Sequence, residues 1–287
     1  MINQKYKNKE ITILSHDNPD VDSIISGFLM EKLLRSKGYK ANYIIPDKII
    51  DEESSALCLK YGIDPKNYQG IVPKNPTLFL VDHYKTTIDG KVIGIIDHHP
   101  TIEDIECETY INKPSSSTAM IIYCLDPSLF GIEDIKKVII ANFVDTNCFT
   151  STKAIQTDKE WTLSICQDNG LDYEQLYKDG LCLTDISNLS KASIHGEKSY
   201  NYSGNKIKSS YIQVNNIDDN TLKKIVDILR QRLIDEGLNM WVFIIHDMKQ
   251  LKSNAYLITK DTCEVINYNT ITSRGTTIMP FIEKNCY

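Results

Sequence analysis

The sequence predicts an α/β protein, with a first unit built on a parallel sheet and a smaller α/β unit after it. Three observations carry this. Short continuous apolar runs alternate with helical patterns through the first part, the signature of strands buried on both faces. A polar stretch at 185–196 then lacks apolar periodicity. A second strand–helix–strand series follows it. The chain has 287 residues, which at roughly 100–200 residues per domain suits two domains better than one. Its 41% hydrophobic and 24% charged content exclude a disordered or fibrous chain.

The elements follow in order. Ile11–Leu14 is a strand that stops at polar residues, and a helix runs from Ser23 to Ser36 with apolar Ile24, Ile25, Phe28, Leu29 and Leu33, broken at Gly38. Tyr43–Ile45 is a second strand, Glu52–Tyr61 a short helix, and Leu78–Val81 and Val92–Ile96 the third and fourth strands. After Pro114, helices are expected over Thr118–Leu125, Ile132–Val144, Thr157–Gln167 and Tyr173–Leu183. Beyond the polar stretch come a strand at Ile207–Val214, an amphipathic helix at Thr221–Glu236, a buried strand at Met240–Ile245, and strands at Asn254–Thr259 and Glu264–Tyr268. This divides the chain into residues 1–185, a linker at 186–195 and residues 196–287.

Composition narrows the setting. The polar start, Met1–Glu10, has no apolar core or cleavage site of a secretory signal, and no run approaches the ~20 apolar residues of a membrane span. The eight cysteines include no C-x-x-C and stand singly in apolar stretches, as small buried hydrophobes of a reducing cytoplasm do. A net charge of −6 and the lack of an interleaved aromatic–basic stretch argue against nucleic acid as a partner.

Chemistry concentrates where apolar strands end. Ser15-His16-Asp17-Asn18-Pro19-Asp20-Val21-Asp22-Ser23 follows the first strand, Asp82-His83 the third, and Asp97-His98-His99-Pro100 the fourth. An Ile- and Val-rich helix ends in Asn142-Phe143-Val144-Asp145-Thr146. In an open parallel sheet ligands bind at the carboxyl ends of strands, so His16, Asp20, Asp22, Asp82, Asp97, His98, His99 and Asp145 are expected at one edge. Taken singly, each has a plainer reading: Asp22 as the cap of the helix at Ser23, or Asp17–Asp20 as a turn. Taken together, so many carboxylates repel one another unless cations sit among them. Mixed imidazole and carboxylate donors suit Mn²⁺, Zn²⁺, Fe²⁺ or Co²⁺. The donors outnumber the positions around one ion, which points to two ions about 3.5–4 Å apart sharing a carboxylate. Water between such ions is acidic enough to supply hydroxide near neutral pH for in-line attack on phosphorus.

The sets His16-x-x-x-Asp20-x-Asp22-Ser23, Val81-Asp82-His83, Asp97-His98-His99 and Val144-Asp145-Thr146 stand in the order of the four motifs of the DHH phosphoesterase superfamily, which the chain resembles. The remainder is similar to the DHHA2-type second domain of family II inorganic pyrophosphatases, exopolyphosphatases and prune-like proteins. The resemblance implies one metal on His16, Asp20 and Asp82 and another on Asp22, Asp82, His98 and Asp145, with Asp82 as the bridge. It implies Mn²⁺ or Co²⁺ as the favoured ions, with Mg²⁺ possible. Asp97 would orient a ligand, and His99 would face the substrate phosphate, to protonate or hydrogen-bond the departing group. Lys198 and Arg274 match the phosphate-binding cations of the second domain. The active site would lie in the gap between domains, with the linker as a hinge, and a homodimer is possible.

Some positions depart from the family's pyrophosphatase pattern. The C-terminal Ser-Arg-Lys-Lys segment is Ser273-Arg274-Gly275-Thr276 here, Asp82-His83 continues Tyr84-Lys85, and Pro100 stands after the histidine pair in place of Arg. The metal ligands are complete and the phosphate grip is altered. The expected activity is metal-dependent hydrolysis of phosphoanhydride bonds, first of pyrophosphate. An exopolyphosphatase or small-nucleotide phosphoesterase on the same scaffold is the alternative, and a non-catalytic phospho-ligand sensor a more distant one.

Overall fold

The computed structural model describes residues 2–286 apart from 47–49, 101–104, 106, 152 and 182. The chain forms two compact units, one of Met1–Phe149 with Lys153–Gly180, the other of Thr150–Thr152 with Leu181–Tyr287.

The first unit runs β1 (Glu10–Leu14), α1 (Val21–Ser36), β2 (Lys40–Ile44), α2 (Glu52–Lys60), β3 (Thr77–Val81), β4 (Lys91–Asp97), β5 (Thr109–Asn112), α3 (Thr118–Leu125), α4 (Ile132–Thr146), α5 (Gln156–Asp168) and α6 (Tyr173–Gly180). Its five strands lie in the order β2-β1-β3-β4-β5, every pair parallel. Ile11 to Leu14, Leu78 to Val81 and Ile93 to Asp97 are buried at consecutive positions, so both faces of these strands are covered. Each large apolar side chain removed from water contributes about 1.5–3 kcal/mol, enough to make these runs the anchor of the fold. Asp20 caps α1, its Oδ1 accepting from Ser23 N at 3.0 Å. The expected cap, Asp22, does something else described below. Helix α1 ends at Gly38, whose φ of 82° suits a residue without a Cβ. Gly27 lets α1 close on β2, since a Cβ there would lie 2.3 Å from the Tyr43 ring.

The second unit contains α7 (Leu189–Ala192), β6 (Lys198–Tyr202), β7 (Asn205–Val214), α8 (Asp219–Asp235), β8 (Met240–Asp247), β9 (Lys252–Ile258), β10 (Cys263–Tyr268) and α9 (Met279–Cys286). Its sheet has the order β10-β9-β8-β7-β6, with β7 and β8 parallel and the other pairs antiparallel. Alternation along β8 sorts its core. Trp241, Phe243 and Ile245 pack with Leu229 of α8, while Val242 and Ile244 pack with Ile278, Met279 and Ile282.

The strands and helices expected from apolar runs are present, most with ends within a residue or two. Four elements carried no such signal, α7 among them. β5 is half-buried throughout, β6 is the mixed run Lys-Ser-Tyr-Asn-Tyr at a sheet edge, and α9 follows a polar turn. The polar stretch at 185–196 holds α7, capped by Asn188, and Ala192 joins the core on the α8 side of the sheet. The cysteines divide. Cys58, Cys148 and Cys166 are buried, but Cys107 is intermediate and Cys124 and Cys263 are exposed, at a helix end and on edge strand β10. These six are free thiols, and Cys182 lies outside the described residues. Among the described residues no helix is long and apolar enough to cross a membrane.

Candidate metal centre

Strand order decides where the chemistry falls. From β1 the chain goes to β2 on one side and returns to β3 on the other, so β1 and β3 flank the point where the connections reverse. Such a point opens a crevice at the carboxyl ends of the strands. His16 follows β1, Asp82 follows β3, and His98 and His99 follow β4. Asp22 comes from the first turn of α1 and Asp145 from the last turn of α4.

These side chains form two pockets joined by Asp82. In the deeper pocket, His98 Nε2 lies 3.8 Å from Asp22 Oδ2, 3.6 Å from Asp82 Oδ1 and 3.4 Å from Asp145 Oδ2. In the other, His16 Nε2 lies 3.7 Å from Asp20 Oδ2 and 3.6 Å from Asp82 Oδ2. These spacings are too long for hydrogen bonds. They are close to the edges of a coordination shell, where ligands about 2.1 Å from a metal stand about 3.0–3.4 Å apart. His98 Nε2 and Asp145 Oδ2 are buried and have no hydrogen-bond partner among the described residues, a state native structures rarely leave unexplained. A divalent cation satisfies both, and the donor set fits one.

The supports turn each ligand inward. His98 Nδ1 donates to Ser115 O at 2.8 Å and His16 Nδ1 to Asp17 O at 2.8 Å, which leaves each Nε2 for the pocket. Asp82 accepts from Ser23 Oγ at 2.8 Å on Oδ2 and from Thr118 Oγ1 at 2.9 Å on Oδ1. Its φ is 65°, an αL conformation that costs a non-glycine residue about 1–2 kcal/mol and that a functional site can retain. Asp22 accepts the backbone N–H groups of Thr118 at 2.7 Å and Ala119 at 3.0 Å, so it caps α3 and not its own helix. Asp158 of α5 braces the deeper pocket from behind, accepting from Ser115 Oγ at 3.0 Å and Ser116 N at 2.7 Å.

The electrostatics are those of crowded, buried carboxylates. Burial first, and Asp82 beside it second, push the Asp22 carboxyl well above the usual carboxylate range. Burial and then Asp20 raise Asp82 to about 7, against the pull of His99 and His16. Burial disfavours charge on His16, but Asp20 and Asp82 outweigh it and lift the imidazole to about 9. Such crowding of carboxylates with displaced titrations marks functional sites.

The other expected residues fall as follows. Asp97 ends β4 fully buried and accepts His99 N at 3.0 Å, while its Oδ1 lies 2.8 Å from His99 Nδ1. It therefore holds His99, and the orientation of His98 falls to Ser115. The Asp97 hydrogen bond is the main cause that raises His99 to about 9. His99 Nδ1 also lies 3.6 Å from Asp82 Oδ1, but its shorter partner is Asp97, so we count His99 apart from the ligands. His83 Nδ1 lies 2.9 Å from Val81 O, and His83 belongs to neither candidate ligand group among the described residues. In the second unit, Lys198 starts edge strand β6. Arg274 donates to Gly196 O, two residues before Lys198, and lies over the Tyr211 ring at 5.3 Å.

Residues 10–141 match the family model for the DHH family, N-terminal domain. These residues are similar to that domain. The manganese-dependent inorganic pyrophosphatase of Methanocaldococcus jannaschii is 26% identical over 276 residues, covering 86% of this chain and 86% of that protein. A crystal structure of a Methanococcus jannaschii protein, described as a candidate family II inorganic pyrophosphatase, superimposes with a TM-score of 0.68 at 23% identity, covering 96% of this chain and 98% of that one. The α/β fold with its parallel first sheet is therefore the fold of that protein.

Beyond the motifs, the first unit uses residues that the strand-end pattern passes over. Ser115, Ser116, Ser117 and Thr118 are buried, a run of hydroxyl residues ahead of an apolar helix that reads in sequence as a capping segment. In the fold the same run orients His98, holds Asp22 and bonds Asp82. Lys153 is the other: its Nζ lies 2.8 Å from Asp145 Oδ1.

Proposed function

We propose that this protein is a metal-dependent hydrolase of phosphoanhydride bonds whose first substrate is pyrophosphate, released as two phosphates. The single observation that carries the reading is the pair of pockets sharing Asp82, set at the strand ends of a DHH-like domain. In this reading His16, Asp20 and Asp82 hold one divalent ion, and Asp22, Asp82, His98 and Asp145 hold the other, Mn²⁺ being favoured over Co²⁺ and Mg²⁺. When bound, the ions acidify water and neutralise charge on the phosphate oxygens.

The chain's own residues do the rest. Ser23 and Thr118 fix both oxygens of Asp82, so that one faces each pocket. Ser115 and the Asp158 brace lock the His98 ring. Asp97 engages His99 Nδ1, leaving Nε2 to meet phosphate. The Asp97 hydrogen bond favours the protonated imidazole, which can pass its proton from Nε2 to the departing phosphate. Lys198 and Arg274 are the second unit's candidates for phosphate oxygens, Arg by its planar fork. Free thiols suit a reducing compartment such as the cytoplasm, and the active form is proposed to be a homodimer.

The alternative substrate class, short polyphosphate or a small nucleotide, is favoured by one feature. Gly275 and Thr276 are exposed beside Arg274 where lysines are expected. Phosphate release from pyrophosphate, tripolyphosphate and nucleotides with Mn²⁺ tests both. Release from pyrophosphate with little from the others supports the first reading. Release only from the longer chains or nucleotides overturns it in favour of the second, and no release from any overturns both.

A further inference from the structure

We propose that Lys153 is a phosphate-binding residue of this centre, the cation by which the first unit grips the anion it processes. The inference rests on the reading of the site as one that takes phosphate. Asp145 divides its two oxygens. Oδ2 is buried, unpaired among the described residues and 3.4 Å from His98 Nε2, so it is directed at the deeper pocket. Oδ1 meets Lys153 Nζ at 2.8 Å. The ammonium therefore stands one carboxylate away from the pocket, and its side chain is 32% exposed where Asp145 is 12%. Lys153 pairs with Asp145 and also acts electrostatically on Asp20 and Asp82, which themselves face histidines.

The backbone is built to bring it there. Helix α4 ends at Thr146, and Asn147, Cys148 and Phe149 follow with φ of 47°, 54° and 60°. This run of left-handed residues is tied by Cys148 N to Phe143 O and by Phe149 N to the Thr146 hydroxyl at 2.9 Å. It turns the chain sharply after α4, and Lys153 Nζ meets Asp145, eight positions earlier in the sequence. A positive group beside a cation pocket opposes the cation. Its place is explained when an anion arrives: with divalent ions drawing on the carboxylates, an ammonium with three donors turns part of its field to a phosphate oxygen. It supplies from the first unit a positive charge that Gly275 and Thr276 do not.

The experiment uses the full chain loaded with Mn²⁺, with inorganic phosphate as the probe, and compares Lys153→Met and Lys153→Arg with the parent. Calorimetry reads phosphate binding, and a separate Mn²⁺ titration reads the metal sites. Loss of a charge-assisted hydrogen bond predicts that Lys153→Met binds phosphate about 10–100-fold more weakly. Its Mn²⁺ stoichiometry should hold and its Mn²⁺ affinity stay level or tighten, with KM rising more than kcat falls. Lys153→Arg should retain most phosphate binding. Unchanged phosphate affinity in Lys153→Met overturns the proposal. So does a parallel loss of Mn²⁺ affinity, which would make Lys153 only the structural partner of Asp145. Phosphate binding needs no turnover, so a parent protein that binds phosphate through Lys153 but hydrolyses nothing would overturn the catalytic reading alone.

Discussion

The two units are both five-stranded sheets with helices, yet their strand ends differ in kind. In the first, an all-parallel sheet points every strand the same way, and its carboxyl ends gather His16, Asp82, Asp97, His98 and His99 at one edge. In the second, antiparallel neighbours send successive strand ends to opposite edges, and one parallel pair remains. The histidines record the contrast. Against carboxylates, His16 is lifted to about 9; buried in the second unit with Arg274 near it, His246 is pushed down to about 4. Parallel topology concentrates chemistry; mixed topology disperses it and leaves room for separate cations such as Arg274.

The largest effect should come from breaking the feature that the second unit lacks. Asp82→Asn removes the carboxylate common to both pockets, and Mn²⁺-dependent phosphate release should fall by more than about 100-fold, with metal stoichiometry reduced. Full turnover in that variant would sink the two-pocket reading.

Next come single-pocket variants. The His98 side chain is 5% exposed and the His16 side chain 28%, so the two pockets should differ in affinity and exchange. At about 100 Kd of Mn²⁺ a bound ion adds about 2.7 kcal/mol to stability. His98→Ala should lose most of the Mn²⁺-induced rise in Tm and His16→Ala less; equal losses would remove the distinction between pockets.

The second unit answers to pH with its own sign. Burial, and then Arg274, hold His246 neutral with its value lowered to about 4, against an ordinary 6.5 when unfolded. Its Nδ1 meets the Ser253 hydroxyl, which also accepts Thr272 N. A depressed histidine binds fewer protons folded than unfolded, so its contribution is complete above about 6.5 and declines as pH falls toward about 4. The loss amounts to about 3 kcal/mol by pH 4 on a shift from 6.5 to about 4. Urea unfolding of the parent and His246→Asn across this window should differ by this increment, the parent losing more stability than the variant as pH falls.

The smallest effect tests the brace. Asp158→Ala leaves every ligand in place but frees Ser115 and Ser116, and should weaken Mn²⁺ in the deeper pocket about 10–100-fold while sparing the other. Equal weakening of both would mean that Asp158 supports the domain and not the pocket.

Much of this was legible without coordinates because apolar runs and charged strand ends are local patterns. Ile11–Leu14 followed by Ser15-His16, and Val81 followed by Asp82-His83, announce buried strands with ligands at their ends. Edge strands β5 and β6 were not legible, since half-exposed strands need no apolar alternation. The roles of neighbours were not legible either. Asp20 and Asp22 are both plausible caps by position, and only the arrival of α3 against α1 decides that Asp20 caps α1 while Asp22 takes the N–H groups of Thr118 and Ala119.

By itself the sequence determined the fold class and the ligand types, because side-chain chemistry and apolar period are properties of the chain. Tertiary structure alone decided which oxygen of Asp82 serves which pocket, that Asp97 holds His99 while Ser115 holds His98, and that Lys153 returns to Asp145. Some of these join residues 2 positions apart, as Asp97 with His99, and others residues 59 apart, as Ser23 with Asp82, and their geometry exists only once the sheet and helices are packed.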